Sequence, residues 1–217
     1  MRGLVRVGAA VPSLALGNVK ENMKRHLAMM REAKEKHVSI VTFPELSLTG
    51  YTCGDLFFQR RLLDGVTDAL LALKDEMPEG ILAVVGAPLE IEGALYNCAV
   101  VLHKGEIISA VPKTFLPNNG EFYEKRWFQS GDARRDASVA IQKLKTDVCR
   151  QAIFETEDGV RFGIELCEDL WAPLPPSTML SVEGAEIILN LSASNELLSK
   201  RESVSYTHLT LPTTPYV

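Results

Sequence analysis

Cysteine and histidine are scarce in this chain, with four of each among 217 residues. The cysteines stand far apart and form no C-x-x-C pair; they are Cys53, Cys98, Cys149 and Cys167. The histidines show no ligand spacing either, so the pattern argues against a disulfide framework and against a zinc site. We therefore expect no metal. His26 and His37 fall in a charged helical stretch, where we expect both at the surface.

The chain also has no apolar run near the ~20 residues that a membrane span requires. Its first residues are too short and too interrupted for a signal peptide, which leaves the cytoplasm as the expected compartment. The net charge is −5 and no basic stripe stands out, since Arg134-Arg135 and Lys200-Arg201 are isolated pairs. We expect neither a nucleic-acid partner nor a membrane partner.

Several loops that carry familiar chemistry are missing. The sequence contains no Walker A loop, no G-x-G-x-x-G and no G-x-S-x-G elbow, and no histidine is well placed to serve a cysteine. These absences argue against nucleotide-binding loops and serine hydrolase chemistry within this stretch.

The periodicity that is present predicts an α/β domain with one core. Alternating or continuous apolar runs predict strands at 4–10, 37–43, 81–88 and 187–191, with hairpins over 95–111 and 151–165. Helical spacing of apolar residues predicts amphipathic helices at 19–33 and 56–77 and a short helix at 176–183. The first strand, helix and strand form a βαβ unit, which implies parallel pairing.

A cysteine follows the buried strand predicted at 160–164. Cys167 lies on a tight turn that feeds a helix, with Glu168 and Asp169 directly after it. Free N–H groups at a helix start stabilise negative charge, so we expect the pKa of this thiol to be lowered. The alternative for a lone cysteine is a small buried apolar residue.

Two other reactive side chains follow strand ends. Glu45 comes directly after the second strand and Pro44, and Lys113 follows the hairpin and Pro112. Alone, each is more commonly a surface residue, but with Cys167 they suit cleavage of an amide. The thiolate would attack the carboxamide carbon, Glu45 would carry the proton, and Lys113 with the Glu168 N–H would oppose the oxyanion.

Three motifs that contain these residues resemble one known family. The segments 45–51, 113–126 and 167–171 are similar to the nitrilase (carbon–nitrogen hydrolase) superfamily, in which Glu45, Lys113 and Cys167 match the catalytic triad. The match is closer to the branch that forms the N-terminal glutaminase domain of glutamine-dependent NAD synthetase, and it covers residues 1–202. The resemblance implies a four-layer α-β-β-α sandwich.

The same resemblance implies roles for five further residues and shows one departure in the substrate pocket. Glu124 matches a second glutamate that positions the lysine and the hydrolytic water. Three residues match positions that hold glutamine: Tyr51, Glu168 and Ser194. Lys200 falls where the family has a basic residue near that pocket. Asn119 departs from the pattern, because many relatives carry a tyrosine there that lines the glutamine pocket.

In that branch the domain is joined to an ATP-using synthetase domain, whose Ser/Gly-rich phosphate loop we do not find here. The resemblance therefore implies a domain without cofactors that releases ammonia for a synthetase domain, which would use ATP and Mg, and assembly as a homo-oligomer. A free-standing amidase on another small carboxamide and a catalytically inactive fragment are the alternatives.

The last residues differ from the family pattern. Residues 203–217 contain no Asp, Glu, Lys or Arg, and we expect a non-native tail after residue 202 that leaves the sandwich incomplete at the C-terminus. The alternative is an authentic disordered Thr/Pro-rich end.

Overall fold

The computed structural model describes residues 4–133, 137–141, 144–195 and 198 of the chain. Across these ranges, no helix combines the length and the apolar character needed to cross a membrane. The boundary expected at residue 202 and the tail 203–217 lie outside the described residues and stay predictions.

Two β-sheets form the centre of the molecule. The larger sheet has the strand order β1-β2-β3-β4-β5-β7-β6, and the smaller has the order β10-β9-β8. The strands of the larger sheet are β1 (Val7–Ala9), β2 (Ile40–Thr42), β3 (Leu82–Ile91), β4 (Ala94–His103), β5 (Glu106–Pro112), β6 (Ala137–Ile141) and β7 (Leu144–Val148). Those of the smaller sheet are β8 (Phe154–Glu155), β9 (Arg161–Leu166) and β10 (Ile187–Leu191).

The predicted βαβ unit is confirmed. β1 pairs in parallel with β2, and β2 pairs in parallel with β3. The crossover is α1 (Val19–Glu35). Asn18 caps its N-terminus, where the Asn18 side chain accepts a hydrogen bond from the N–H of Glu21. β3, β4 and β5 then form an antiparallel meander around two tight turns, at Glu92-Gly93 and Lys104-Gly105. All four turn residues have positive φ, as a two-residue turn of this hand requires.

The helices cover the outer faces of the two sheets. α1 and α2 (Arg60–Glu76) pack their apolar sides on one face of the larger sheet, where Met30 and Leu70 are fully buried. The opposite face meets the smaller sheet, with Val84 and Val101 packed in the same cluster as Phe162. α3 (Pro176–Val182) covers the far side of the smaller sheet. The order helix, sheet, sheet, helix confirms the predicted four-layer α-β-β-α sandwich.

His26 does not lie at the surface as expected. It is fully buried, because it shares the inward side of α1 with Asn22 and Met30, at intervals of four residues. Its Nδ1 lies 2.7 Å from the Asn22 carbonyl oxygen, and its Nε2 lies 2.9 Å from Oγ of Ser47. Burial lowers the pKa of His26 to about 4, so the ring is neutral. His37 is exposed, as predicted.

Candidate active site

Glu45 is held in a short loop directly after β2. Its side chain is buried, and the loop packs so closely on β3 that a Cβ added to Gly86 would lie 2.4 Å from the Pro44 carbonyl oxygen. Ser47, in the same loop, is held by His26 and by the N–H of Gly86. The direction of the Glu45 carboxylate is therefore set by the core beneath it.

Lys113 connects two buried carboxylates. Its Nζ lies 2.5 Å from Oε1 of Glu45 and 2.7 Å from Oε1 of Glu124, and all three side chains are essentially inaccessible to solvent. Burial alone would lower the pKa of Lys113, but the charges of Glu45 and Glu124 outweigh it and raise this pKa. Lys113 is therefore an ammonium ion between two acids.

Glu124 lies at the start of a short 3-10 helix, Glu124–Arg126. Besides Lys113, its Oε1 accepts a hydrogen bond of 2.6 Å from the hydroxyl of Tyr51. Burial and the nearby charge of Glu45 raise the pKa of Glu124, while Lys113 opposes the shift. Tyr51 keeps its proton, because burial and the Glu124 charge raise its pKa.

Asn97 completes this cluster, and the sequence reasoning missed it. Its Nδ2 donates to Oε1 of Glu45 at 2.7 Å and to Oε2 of Glu124 at 3.4 Å, while its backbone carbonyl accepts from the N–H of Lys113. Within the described part of the chain, Oδ1 of Asn97 is buried and has no hydrogen-bond partner. The available signal was a single amide in an otherwise apolar strand, since a buried polar side chain needs a reason to be there.

Cys167 lies on the turn from β9 to a 3-10 helix, Cys167–Trp171. Its φ is 42°, in the left-handed region that a residue with a side chain rarely adopts. Such a backbone costs on the order of 1–3 kcal/mol and persists only where the surroundings hold it. Here the turn is closed by Asp169, whose Oδ2 accepts a hydrogen bond of 3.0 Å from the N–H of Leu166.

The thiol of Cys167 faces the acidic cluster. The charges of Glu45 and Lys113 act on it, and the Ser192 side chain and Ala193 backbone contact it. Ala193 also contacts Glu45, because its N–H donates to Oε2 of Glu45 at 3.1 Å, so the same residue lies against both the thiol and the carboxylate. Neither Ser192 nor Ala193 was predicted as a site residue.

The expectation of a lowered thiol pKa is wrong. Burial and the Glu45 charge raise the pKa of Cys167 to about 11, although Lys113, Ser192 and Ala193 oppose the shift. The helix-start argument fails because the thiol is removed from water beside an anion. Cys167 therefore rests as a thiol and needs a base to become a nucleophile.

Asp169 is a further buried carboxylate next to the site. Its Oδ1 accepts hydrogen bonds from the N–H of Thr114 at 3.1 Å and from the N–H of Phe115 at 2.7 Å. Burial raises the pKa of Asp169 to about 7, against the opposing effect of hydrogen bonds from Phe115 and Leu166.

The predicted glutamine-binding residues are only partly brought together. Tyr51 is in contact with the cluster, and it lines a cavity of about 390 Å³ whose wall includes Glu121, Phe122 and Tyr123. Glu168 is half-buried and lines a separate cavity of about 400 Å³.

Ser194 and Asn119 are exposed, and Lys200 lies outside the described residues. Within the ranges that the structure covers, no group of three or more His, Cys, Asp and Glu side chains is arranged to hold a metal ion.

Comparison with known proteins identifies the family of this chain. Residues 6–212 match the sequence model of the family described as carbon-nitrogen hydrolase. The chain belongs to the carbon-nitrogen hydrolase family. The matched range runs past residue 202. The non-native origin expected for residues 203–217 stays a prediction.

Relatives of this carbon-nitrogen hydrolase are glutamine-dependent NAD(+) synthetases. The chain is 36% identical over 203 residues to the enzyme of Mycobacterium tuberculosis, an alignment that includes 92% of this chain and 30% of the relative. It is 34% identical over 198 residues to the enzyme of Arabidopsis thaliana, of which it covers 26%. The chain thus spans less than a third of the length of the curated relatives it matches.

Solved structures of the family show the same fold. A glutamine-dependent NAD(+) synthetase from Cytophaga hutchinsonii superposes with a TM-score of 0.80 at 28% identity, over 93% of this chain and 32% of that one.

Proposed function

We propose that this chain is a glutamine amidohydrolase domain that releases ammonia from glutamine through a thioester on Cys167. The observation that carries the proposal is the junction of Glu45, Lys113 and Cys167 at one site, with Glu45 bonded to both Lys113 and the Ala193 N–H. The choice of glutamine as the amide substrate is supported by the relatives, which are named glutamine-dependent NAD(+) synthetases.

In the first half-reaction the carboxylate of Glu45 takes the Sγ proton as the sulfur attacks the carboxamide carbon. The carbonyl π electrons move to oxygen, and Lys113 and the N–H of Glu168 oppose the new charge. An ammonium group has three N–H donors, and Glu45 and Glu124 occupy two of them. The third is the donor that we assign to the oxyanion.

Collapse of the tetrahedral intermediate breaks the C–N bond, and Glu45 returns the proton to the departing ammonia. Water then attacks the thioester with Glu45 as base, which releases glutamate and restores the thiol. A resting thiol with a pKa near 11 suits this cycle, because the base must act in every turnover. Glu124 holds Lys113 and the hydrolytic water in this scheme.

Glutamine recognition is assigned to the residues that the family resemblance indicates. We propose that Tyr51, Glu168, Ser194 and Lys200 bind the amino-acid part of glutamine, with Asn119 at the rim. Tyr51 has the best support, since it bonds Glu124 and also lines the adjacent cavity.

The released ammonia would serve the ATP-dependent amidation of nicotinic acid adenine dinucleotide to NAD. We propose that this step takes place in a synthetase domain that binds ATP and Mg, while the amidohydrolase reaction needs no cofactor because side chains supply its nucleophile, base and charges. Assembly as a homo-oligomer and a cytoplasmic location complete the proposal.

Ammonia release by the purified chain tests this function directly. We expect release from glutamine, loss of it in Cys167→Ala, and retention in Cys149→Ala, a matched change at a half-buried cysteine outside the site. Rapid release from small aliphatic amides with none from glutamine would instead indicate a free-standing amidase. No release from any amide by a folded chain would contradict an enzymatic role for this chain.

A further inference from the structure

One carboxylate bonds the backbone next to both Lys113 and Cys167. Oδ1 of Asp169 accepts from the N–H groups of Thr114 and Phe115, the two residues after Lys113. Oδ2 accepts from the N–H of Leu166, the residue before Cys167. The two segments come from different sheets, so no strand pairing fixes their separation at this point.

The carboxylate is suited to this task by its surroundings. Asp169 is 1% exposed, so water does not compete for its oxygens. The ionised form of Asp169, which prevails above its pKa of about 7, accepts several N–H hydrogen bonds at once, and bonds to an ionised acceptor are roughly twice as strong as neutral ones. An asparagine of the same shape loses one acceptor oxygen and presents an amide NH₂ to an N–H group.

The Cys167 backbone gives a reason for such a clamp. Its positive φ is strained, and the bond from Leu166 N–H to Asp169 closes the turn that contains it. Reacting groups must be held to within a fraction of an ångström, and a displacement of about 1 Å can cost a hundredfold in rate. A residue that holds both segments would therefore affect turnover without touching substrate.

We propose that Asp169 is a positioning residue that fixes the Lys113 segment and the Cys167 turn relative to each other through these three N–H contacts. The catalytic consequence rests on the proposed function, whereas the clamp itself does not. Asp169 has no part in proton transfer in this account.

The test compares Asp169→Asn with Glu165→Gln in the full chain. Glu165 is a matched control, because it is an equally buried carboxylate that accepts N–H donors from Ser177 and Asn190 on the α3 side of β9. Three quantities are measured for each variant: urea unfolding, amide hydrogen exchange by NMR, and the alkylation rate of Cys167 by iodoacetamide. Ammonia release is also measured, and each rate is divided by the concentration of Cys167 that iodoacetamide labels when the alkylation is complete.

In Asp169→Asn we expect the amides of Thr114, Phe115 and Leu166 to exchange about tenfold faster or more, and kcat for ammonia release to fall about tenfold to a hundredfold. KM should change less than threefold, and alkylation should slow. In Glu165→Gln we expect a similar loss of stability. The exchange rates of the same three amides, the alkylation rate of Cys167 and kcat should nevertheless stay within about twofold of the wild type.

Equal effects of the two variants on exchange and alkylation would overturn the proposal. Asp169→Ser is a second variant, whose short side chain lacks both carboxylate oxygens and should give at least as large a loss as Asp169→Asn. If both Asp169 variants fail to fold while Glu165→Gln folds, Asp169 is a determinant of folding and the proposal is wrong. If the wild type releases no ammonia, the proposed function fails, but exchange and alkylation still test the clamp.

Discussion

Asn97 donates a hydrogen bond from Nδ2 to Oε1 of Glu45 at 2.7 Å, the same oxygen that Lys113 Nζ contacts at 2.5 Å. The carboxylate is therefore held by a cation and a neutral donor at once. Asn97 also reaches Glu124, so both acids share the same two donors. The cluster acts as one unit, in which the loss of any donor leaves a buried anion undersupplied.

Asn97→Leu tests this shared support. Leucine has a similar size but no donor, so we expect unfolding stability to fall by about 1–3 kcal/mol. Ammonia release should fall about tenfold or more, because Glu45 loses a contact that orients it. Ser109→Ala is the control, since it removes one partly buried hydrogen bond to the Asp147 carbonyl away from the carboxylates. Equal activity in Asn97→Leu and Ser109→Ala at matched stability would rule out a special role for Asn97.

Glu45→Gln should lower the pKa of Cys167. The Glu45 charge is the second cause of the raised thiol pKa after burial, so a neutral amide should bring the pKa of Cys167 below about 11. Ultraviolet absorbance of the thiolate across a pH titration, with Cys167→Ser as baseline, measures this value. Turnover should nonetheless fall by about a hundredfold to ten-thousandfold, because the base is gone. A thiol pKa that stays near 11 or rises would mean that Glu45 does not act on the sulfur.

Lys113→Met should be harmful to folding as well as to activity. It leaves Glu45 and Glu124 buried without their cation, and breaking a buried ion pair costs about 3–5 kcal/mol. Adding Glu124→Gln removes one of the two stranded charges, so the double variant should be more stable than Lys113→Met alone. Urea unfolding of Lys113→Met, Glu124→Gln and the double variant gives the comparison. Additive losses would show that the two side chains are not energetically coupled.

His26 should make the fold sensitive to acid. The pKa of His26 is about 4 in the folded chain and 6.5 in the ordinary range, so the unfolded chain binds more protons between these values. The contribution of His26 to stability is therefore complete above pH 6.5 and is lost as pH falls toward 4. Between pH 7 and pH 5 this loss is about 2 kcal/mol, measured as the difference between the wild type and His26→Gln. Urea unfolding at these two pH values should show a smaller loss in His26→Gln. His37→Gln, at an exposed histidine, should keep the wild-type loss, and an unchanged loss in His26→Gln would contradict the assignment.

Most of the architecture could be predicted from periodicity. The βαβ start, the hairpin of β4 and β5, α3 and β10 all follow from apolar spacing and turn residues. β6 and β7 were not predicted. In 144–148 the burial alternates with each residue, but the strand is short and lies beside a stretch with no clear period.

The core of the site was predictable because Glu45, Lys113 and Cys167 each follow a strand end. The supporting residues were not, because their role depends on contacts between distant segments. Asn97 reads as a polar interruption in a strand, and Asp169 as one of two acids after a cysteine. His26 was misplaced because a charged helix still has an inward side, and the thiol pKa was wrong because burial cannot be judged from a turn motif.

The thioester itself is the most direct test of the account. Wild-type chain is mixed with glutamine, quenched in acid during turnover and analysed by peptide mass spectrometry. The account predicts one γ-glutamyl group on the peptide that contains Cys167, removable by hydroxylamine and absent from Cys167→Ala. Turnover of glutamine without that acyl group, or with the group on another residue, would contradict it.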